Sequence, residues 1–379
     1  MIRIKKLLTV FCLTLLVISC RKDEMIFTSD SSNVSIPTNN EEYSGFYLLN
    51  EGNMGMNRAS IDMFTYDTGV YTRDIFSERN PNITKELGDV GNDIKIYGSK
   101  VYATINVSNF VEVFDVATGK HIKQIHVPNC RYLNFKDGKA YVSSYSGKVE
   151  INPNAEIGFV AEIDTLSLEV TRKVVVGYQP EEMVIKDHKL YVANSGGYRV
   201  PNYDTTVSVV DLNTFEEIKK IDVGINLHRM QIDRNGDIYV SSRGDYYDVE
   251  PNLYVIDSAT DQVVKKLDIP VSNMTIDDNK LYYYATSYKH NTGNNTISYG
   301  ILDTDTKQVI TDNIIKDGTD KQILIPYGIA VNPETKEIFM TDAQDYVGTG
   351  FVYCYSPEGQ LKWKTTGGNI PAHFAFIKK

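Results

Sequence analysis

The chain has 379 residues, 42% of them hydrophobic and 11% aromatic, with a formal net charge of −10. That acidic balance excludes nucleic acid as the main partner, because affinity for a polyanion rests on Lys and Arg. Four Cys with no CxxC pair, and no His/Cys run at zinc spacing, exclude a disulfide scaffold and a structural zinc site.

At the start of the chain, Arg3, Lys5 and Lys6 precede an apolar run over residues 7–18. Its length falls short of the roughly 20 residues that cross a bilayer, so residues 1–19 are predicted to be a signal peptide. The run ends in Leu16-Val-Ile-Ser-Cys20, which resembles a bacterial lipoprotein box with Cys20 as the lipidated residue. The next residues, Arg21-Lys-Asp-Glu24, resemble the surface-export signal of Bacteroidetes lipoproteins. Residues 20–42 are polar and read as a flexible tether. Cleavage before Cys20 removes three positive charges and leaves the mature chain three units more negative. Cys130 and Cys354 then remain, in different repeats, and read as separate structural thiols.

From residue 43 onward one module repeats. Its clearest copy, 177–223, contains four short apolar runs at 183–185, 190–193, 207–210 and 217–223, separated by Asp, Asn and Gly. An Asp closes the third run at Asp67, Asp115, Asp164, Asp211, Asp257 and Asp303, with Ser356 in the seventh place. An aromatic marks the second run at Tyr47, Tyr102, Tyr141, Tyr191, Tyr239, Tyr282 and Phe339. Four strands at a period in the forties are the signature of propeller blades. The first unit lacks an inner strand, and the terminal segment 371–377 resembles the inner strand 180–186. The predicted fold is therefore all-β: a seven-bladed β-propeller over 43–379 with four antiparallel strands per blade. The C-terminal strand closes it by pairing with the N-terminal blade, which removes an exposed edge.

In such a ring the loops between second and third strands lie on the same end as the links between blades. They are predicted to be long, at 50–60, 145–157, 195–206, 243–252, 287–297 and 343–349, while the opposite turns are short. Long loops on a rigid scaffold carry binding. The candidate ligand-binding residues on this end are Asn53, Tyr132, Tyr145, Tyr198, Arg199, Tyr203, His228, Arg229, Tyr246, Tyr247, Tyr288, Tyr327, Tyr346 and His373. Tyr combines a broad apolar ring with a polar tip, which suits a large amphipathic ligand. Arg131, Tyr178 and His290 fall on the same end.

Other chemistry is sparse. Asp233-Arg-Asn-Gly-Asp237 resembles the start of a calcium loop but lacks the distal Glu. No G-x-S-x-G nucleophile motif occurs. Asn92, Asp93, Glu181, Glu182, His228, Asn273 and His373 fall near the starts of inner strands, where a propeller lyase or lactonase would hold an axial metal. The single Trp363 falls in the last blade's fourth strand, away from the loop-rich end, which argues against a Trp platform for a glycan.

The phrase Leu190-Tyr-Val-Ala-Asn194, followed by Val207-Ser-Val-Val-Asp-Leu-Asn-Thr214, resembles the repeat of the YncE-like (YVTN) propellers. With the lipoprotein box and Gly45-Phe-Tyr-Leu-Leu-Asn-Glu-Gly-Asn53, the whole resembles Bacteroidetes surface lipoproteins of the BtuG type. That resemblance implies an outer-membrane lipoprotein facing the cell exterior, which captures cobalamin or a related corrinoid and passes it to a TonB-dependent transporter. It implies a binding protein rather than an enzyme, with the corrinoid as cargo and no cofactor. A different ligand, a protein partner, or a metal-dependent lyase or lactonase are the alternatives.

Overall fold

The computed structural model describes residues 29–83, 86–289 and 294–379. The predicted signal peptide, Cys20, the export-like segment 21–24 and His290 lie outside the described residues. The described chain forms seven antiparallel sheets, six of four strands and one of five. The module at 177–223 becomes Pro180–Lys186, Lys189–Asn194, Thr206–Asp211 and Glu216–Asp222. Every predicted strand there is present, extended by one to three residues at most ends.

The sheets are arranged as propeller blades. Each inner strand packs against the inner strand of the next blade, and the sequence of contacts returns to its start. Closure is as the sequence predicts: the C-terminal strand Pro371–Lys378 pairs with Tyr43–Asn50 and supplies the inner strand of blade 1. Phe46, fully buried, meets Phe64, Phe339, Phe374 and Phe376 at this seam. The core lies between blades, as in the layer of Leu253 and Val255 from blade 5 against Met274, Leu281 and Leu302 from blade 6. Each such fully buried side chain contributes about 1.5–3 kcal/mol.

Both sequence rulers have a physical cause. The closing Asp turns its carboxylate back on the following turn: Asp164 Oδ1 accepts the amides of Leu166 and Ser167, and Asp211 Oδ1 those of Asn213 and Thr214. This is the local bond that makes Asp a turn residue. The Tyr of the second strand reaches into the next blade. Tyr47 donates to the Val116 carbonyl at 2.8 Å, Tyr191 to that of Ser258 at 3.1 Å and Tyr239 to that of Thr304 at 3.0 Å. Cys130 and Cys354 are both buried and free.

Two features differ from the sequence expectation. Part of the predicted tether is docked: Asp30–Asn33 forms a fifth strand on the outer edge of blade 1, against Val70–Arg73. The Glu334 carboxylate then accepts the amides of Glu41, Glu42 and Tyr43. A polar strand at a sheet edge needs only backbone pairing, which composition does not reveal. In blade 6 the predicted long loop 287–297 is instead a hairpin. Strands Lys280–Lys289 and Asn294–Asp303 pair as far as Tyr288 with Asn295 and Lys289 with Asn294. Alternating Thr, Tyr and Ile carry the strand pattern outward through a polar sequence.

Candidate functional site

The inner strands begin at the loop-rich end, and six of the seven carry one extra residue there. In blade 3, Cys130 faces Ser144 and Leu133 faces Val142, so three steps on one strand oppose two on the other. The same insertion recurs in blades 1, 2, 4, 5 and 7. A bulge re-aims side chains. Here it brings consecutive residues to the mouth: Arg131 and Tyr132, Glu181 and Glu182, His228 and Arg229. In blade 7 one of these places is Gly328, where a Cβ would stand 2.2 Å from the Ala372 carbonyl oxygen.

Across the axis these residues meet. Tyr132 Oη and His228 Nε2 lie 3.0 Å apart. The Tyr132 ring stands edge-on to His228 at 6.2 Å and to His373 at 6.5 Å. The Arg229 guanidinium is 5.2 Å from the Tyr132 ring centre. His373 Nε2 bonds Glu51 Oε1 at 2.9 Å, and Tyr327 donates to Glu51 Oε2 at 2.7 Å. Tyr346 lies edge-on to Tyr327 at 5.9 Å, and Asn53 donates to the Tyr346 carbonyl.

A second knot joins blades 3, 4 and 5. Glu181, fully buried, takes Arg131 at 3.2 Å, Arg243 at 3.4 Å and the Tyr145 hydroxyl at 2.5 Å. Burial pushes this carboxyl up, but Arg131 and Arg243 outweigh it and hold Glu181 below the usual carboxylate range. Burial also drives His228 well below the usual imidazole value, helped by Arg243, Arg229, Arg131 and His373. Its ring is therefore neutral at pH 7. Glu182 moves upward, because burial exceeds the attraction of Arg229 and Lys95.

The predicted ligand residues thus separate into groups. Tyr132, His228, Arg229, His373 and Tyr327 converge on the axis. Tyr145 is buried against Glu181 rather than presented on the rim, and Tyr198 stacks edge-on to it at 6.4 Å. Arg199 lies over the Tyr178 ring at 3.5 Å, off the axial group. Tyr203 is half-buried, while Tyr246, Tyr247 and Tyr346 are exposed at 55%, 76% and 43%. Tyr288 sits on the blade 6 hairpin, and its side chain lies outside the described residues.

Sequence reasoning missed Glu51 and Arg243 as members of the site. Both are the first residue after a second strand, Tyr43–Asn50 and Asp237–Ser242, as Tyr145 is after Lys139–Ser144. That shared position is the signal that would have found them.

Several polar residues at inner-strand starts stitch one blade to the next. Asn92 donates to the Arg131 carbonyl, Asn273 to that of Tyr327, Asp93 accepts the Leu133 amide and Glu182 the Met230 amide. They satisfy backbone groups on the open edge of each inner strand. The calcium-like stretch is a short turn on the opposite end, with Asp233 Oδ1 accepting the amides of Asn235 and Asp237. Among the described residues no group of three or more His, Cys, Asp or Glu is placed to hold a metal ion. A separate cavity of about 470 Å³ opens off the axis between blades 1 and 7, lined by Arg58, Asp74, Val347 and Asn369 among others.

Fold and mouth together define a seven-bladed β-propeller with a charged, aromatic floor at its loop-rich end. Residues 44–372 match the family described as Domain of unknown function (DUF5074), and the chain belongs to that family. No curated protein matches the chain. Among solved structures it is similar to a quinoprotein alcohol dehydrogenase-like protein from Bacteroides thetaiotaomicron, at 16% identity and TM-score 0.60, covering 89% of this chain and 79% of that one. It is similar to the hydrazine synthase of Kuenenia stuttgartiensis, at 15% and 0.56, covering 71% and 77%. It is also similar to the computationally designed Ika8 protein, at 13% and 0.55, covering 88% and 91%. Likeness at this level of identity shows the fold alone.

Proposed function

We propose that the protein is a surface-exposed outer-membrane lipoprotein of the YncE-like, BtuG-type class, anchored through Cys20. In this reading it binds cobalamin or a related corrinoid at the loop-rich end and passes it to a TonB-dependent transporter. It acts as a carrier, not an enzyme, and the corrinoid is cargo.

The observation that carries the reading is the make-up of the rim. Tyr246, Tyr247 and Tyr346 stand exposed on the loops together with Met54 and Met56, at 60% and 55%. They surround a floor that is polar and charged. A corrinoid is a broad, fairly flat molecule with an apolar face and an amide-fringed edge, and a site of this kind covers both. The rigid ring lowers the ordering cost of binding.

The N-terminal strand supports the handover. Asp30 pairs with Arg73, at the end of the fourth strand nearest the link to blade 2. The described chain therefore starts on the mouth side of the outer rim. The ten residues from Cys20 to Ser29 reach at most about 35 Å, a span that lets an anchor at Cys20 keep the mouth near the membrane that would contain a transporter.

Isothermal titration of the full chain in detergent with cyanocobalamin, in metal-free buffer, tests the reading. Saturable one-to-one binding, weakened by the double change Tyr246→Ala and Tyr247→Ala, is expected. No heat at micromolar protein with the fold intact by circular dichroism would remove the corrinoid reading.

A further inference from the structure

We propose that Arg229 is the centre of an oxyanion subsite at the floor of the mouth, built to take a phosphate or carboxylate group of a bound ligand. The proposal rests on reading the loop-rich end as the ligand face, but it does not require the ligand to be a corrinoid.

Arg229 is only 7% exposed, and its Nε has no hydrogen-bond partner. Its guanidinium lies over the face of Tyr132 and feels the charges of Glu182 and Glu51, but no ion pair to it within bonding distance occurs among the described residues. A buried guanidinium is ordinarily matched by a carboxylate, because desolvation of an unpaired charge is costly. Here the nearby carboxylates are engaged elsewhere. Glu181 is shared by Arg131 and Arg243. Glu182 accepts the Met230 amide and the Gln231 side chain. Glu51 holds Tyr327 and His373.

Arg131 and Arg243 thus share one carboxylate, and Arg229 is left with no carboxylate oxygen bonded to it. A guanidinium fork with free donors matches the paired oxygens of a carboxylate or phosphate. The neighbouring Tyr132 and His228 add neutral polar groups at the same level.

The test titrates the full chain in detergent with inorganic phosphate in a buffer free of other oxyanions. Saturable binding is expected, weakened on the order of tenfold or more in Arg229→Met. Thermal unfolding checks that the variant is folded. If Arg229→Met fails to fold, Arg229→Lys, which keeps the charge and loses the fork, carries the test with a smaller but measurable loss. No saturable binding by the parent up to about 10 mM phosphate, or parental affinity in a folded variant, overturns the subsite.

Two corrinoids then identify the source of the anion. Cyanocobalamin carries a phosphodiester and dicyanocobinamide does not. Displacement of phosphate by the first and not the second assigns the subsite to the ligand's own phosphodiester. Phosphate that stays bound under saturating cyanocobalamin assigns it to a free anion or a different ligand, and contradicts the part of the proposal that places it on the cargo. Phosphate binding without any corrinoid binding removes the corrinoid reading and leaves the subsite standing.

Discussion

The Tyr132 hydroxyl and His228 Nε2 share a 3.0 Å hydrogen bond that passes from blade 3 to blade 5 over the end of blade 4. Together with the contact of Tyr132 on His373 of blade 1, it gathers three blades onto one side chain at the axis. The mouth is thereby given a floor made of rings and guanidiniums, on which any ligand entering from the loop-rich end would rest.

The neutral state of His228 makes stability depend on pH in a defined direction. Its folded value is depressed, first by burial and then by Arg243, Arg229, Arg131 and His373. The unfolded chain then binds the extra proton first. This contribution is fully present above the unfolded value of about 6.5 and is lost as pH falls below it. Glu112 acts in the opposite sense, because burial pushes it up to about 7, and its contribution grows as pH falls below that value. The comparison that isolates His228 is therefore the parent against His228→Gln. Urea unfolding between pH 8 and 5 is expected to show the parent losing stability relative to the variant as pH falls. A constant difference would show that His228 titrates normally.

Glu181 is the counter-ion that the blade 3–5 knot depends on. Glu181→Gln keeps shape and one acceptor but leaves Arg131 and Arg243 facing each other in a buried site. Breaking a buried pair from one side costs about 3–5 kcal/mol. A drop of that size is expected in urea unfolding at pH 7. The folded carboxyl is held low, so the stabilisation it provides persists above the unfolded value of about 4.3 and is lost as pH falls through the folded one. A change within experimental error at pH 7 would mean the two guanidiniums are compensated elsewhere.

Glu334 clamps the chain just before it enters the propeller, through the amides of Glu41, Glu42 and Tyr43. Glu334→Ala is expected to speed hydrogen exchange at those three amides, with little change at buried strand amides such as that of Phe46. Protection that survives the substitution would show that the strand pairing of Asp30–Asn33 holds this segment without the clamp.

The blades were legible in the sequence because most repeats meet the same local needs with the same residue, with Ser356 and Phe339 as the seventh repeat's departures. An Asp must satisfy the amides of the turn after the third strand, and a Tyr must reach the neighbouring blade. Such needs recur with the period and leave a visible ruler. The site was legible only in part. Tyr132, His228, Arg229 and His373 could be placed on the right end, but their meeting at the axis joins residues 96 apart or more, which no local pattern encodes. Tyr145 read as a rim residue because its partner, Glu181, belongs to another blade. The outer strand Asp30–Asn33 and the blade 6 hairpin were missed because polar strands gain their order from backbone pairing rather than burial.

Ring closure gives the sharpest expectation for the fold itself. Phe46 is fully buried where the first and last segments of the domain meet, in ring contact with Phe339 of blade 7 and with Phe374 and Phe376 of the closing strand. Phe46→Ala removes all of these contacts at once and leaves a cavity at the one seam that no chain connection spans. A loss of about 3–5 kcal/mol is expected, as for other buried Phe truncations. Because the seam holds Pro371–Lys378 in place, native-state hydrogen exchange should show that strand opening before the inner strands of blades 3 and 4. Uniform loss of protection across all blades would instead mean that the ring opens only as a whole, with blade 1 no weaker than the rest.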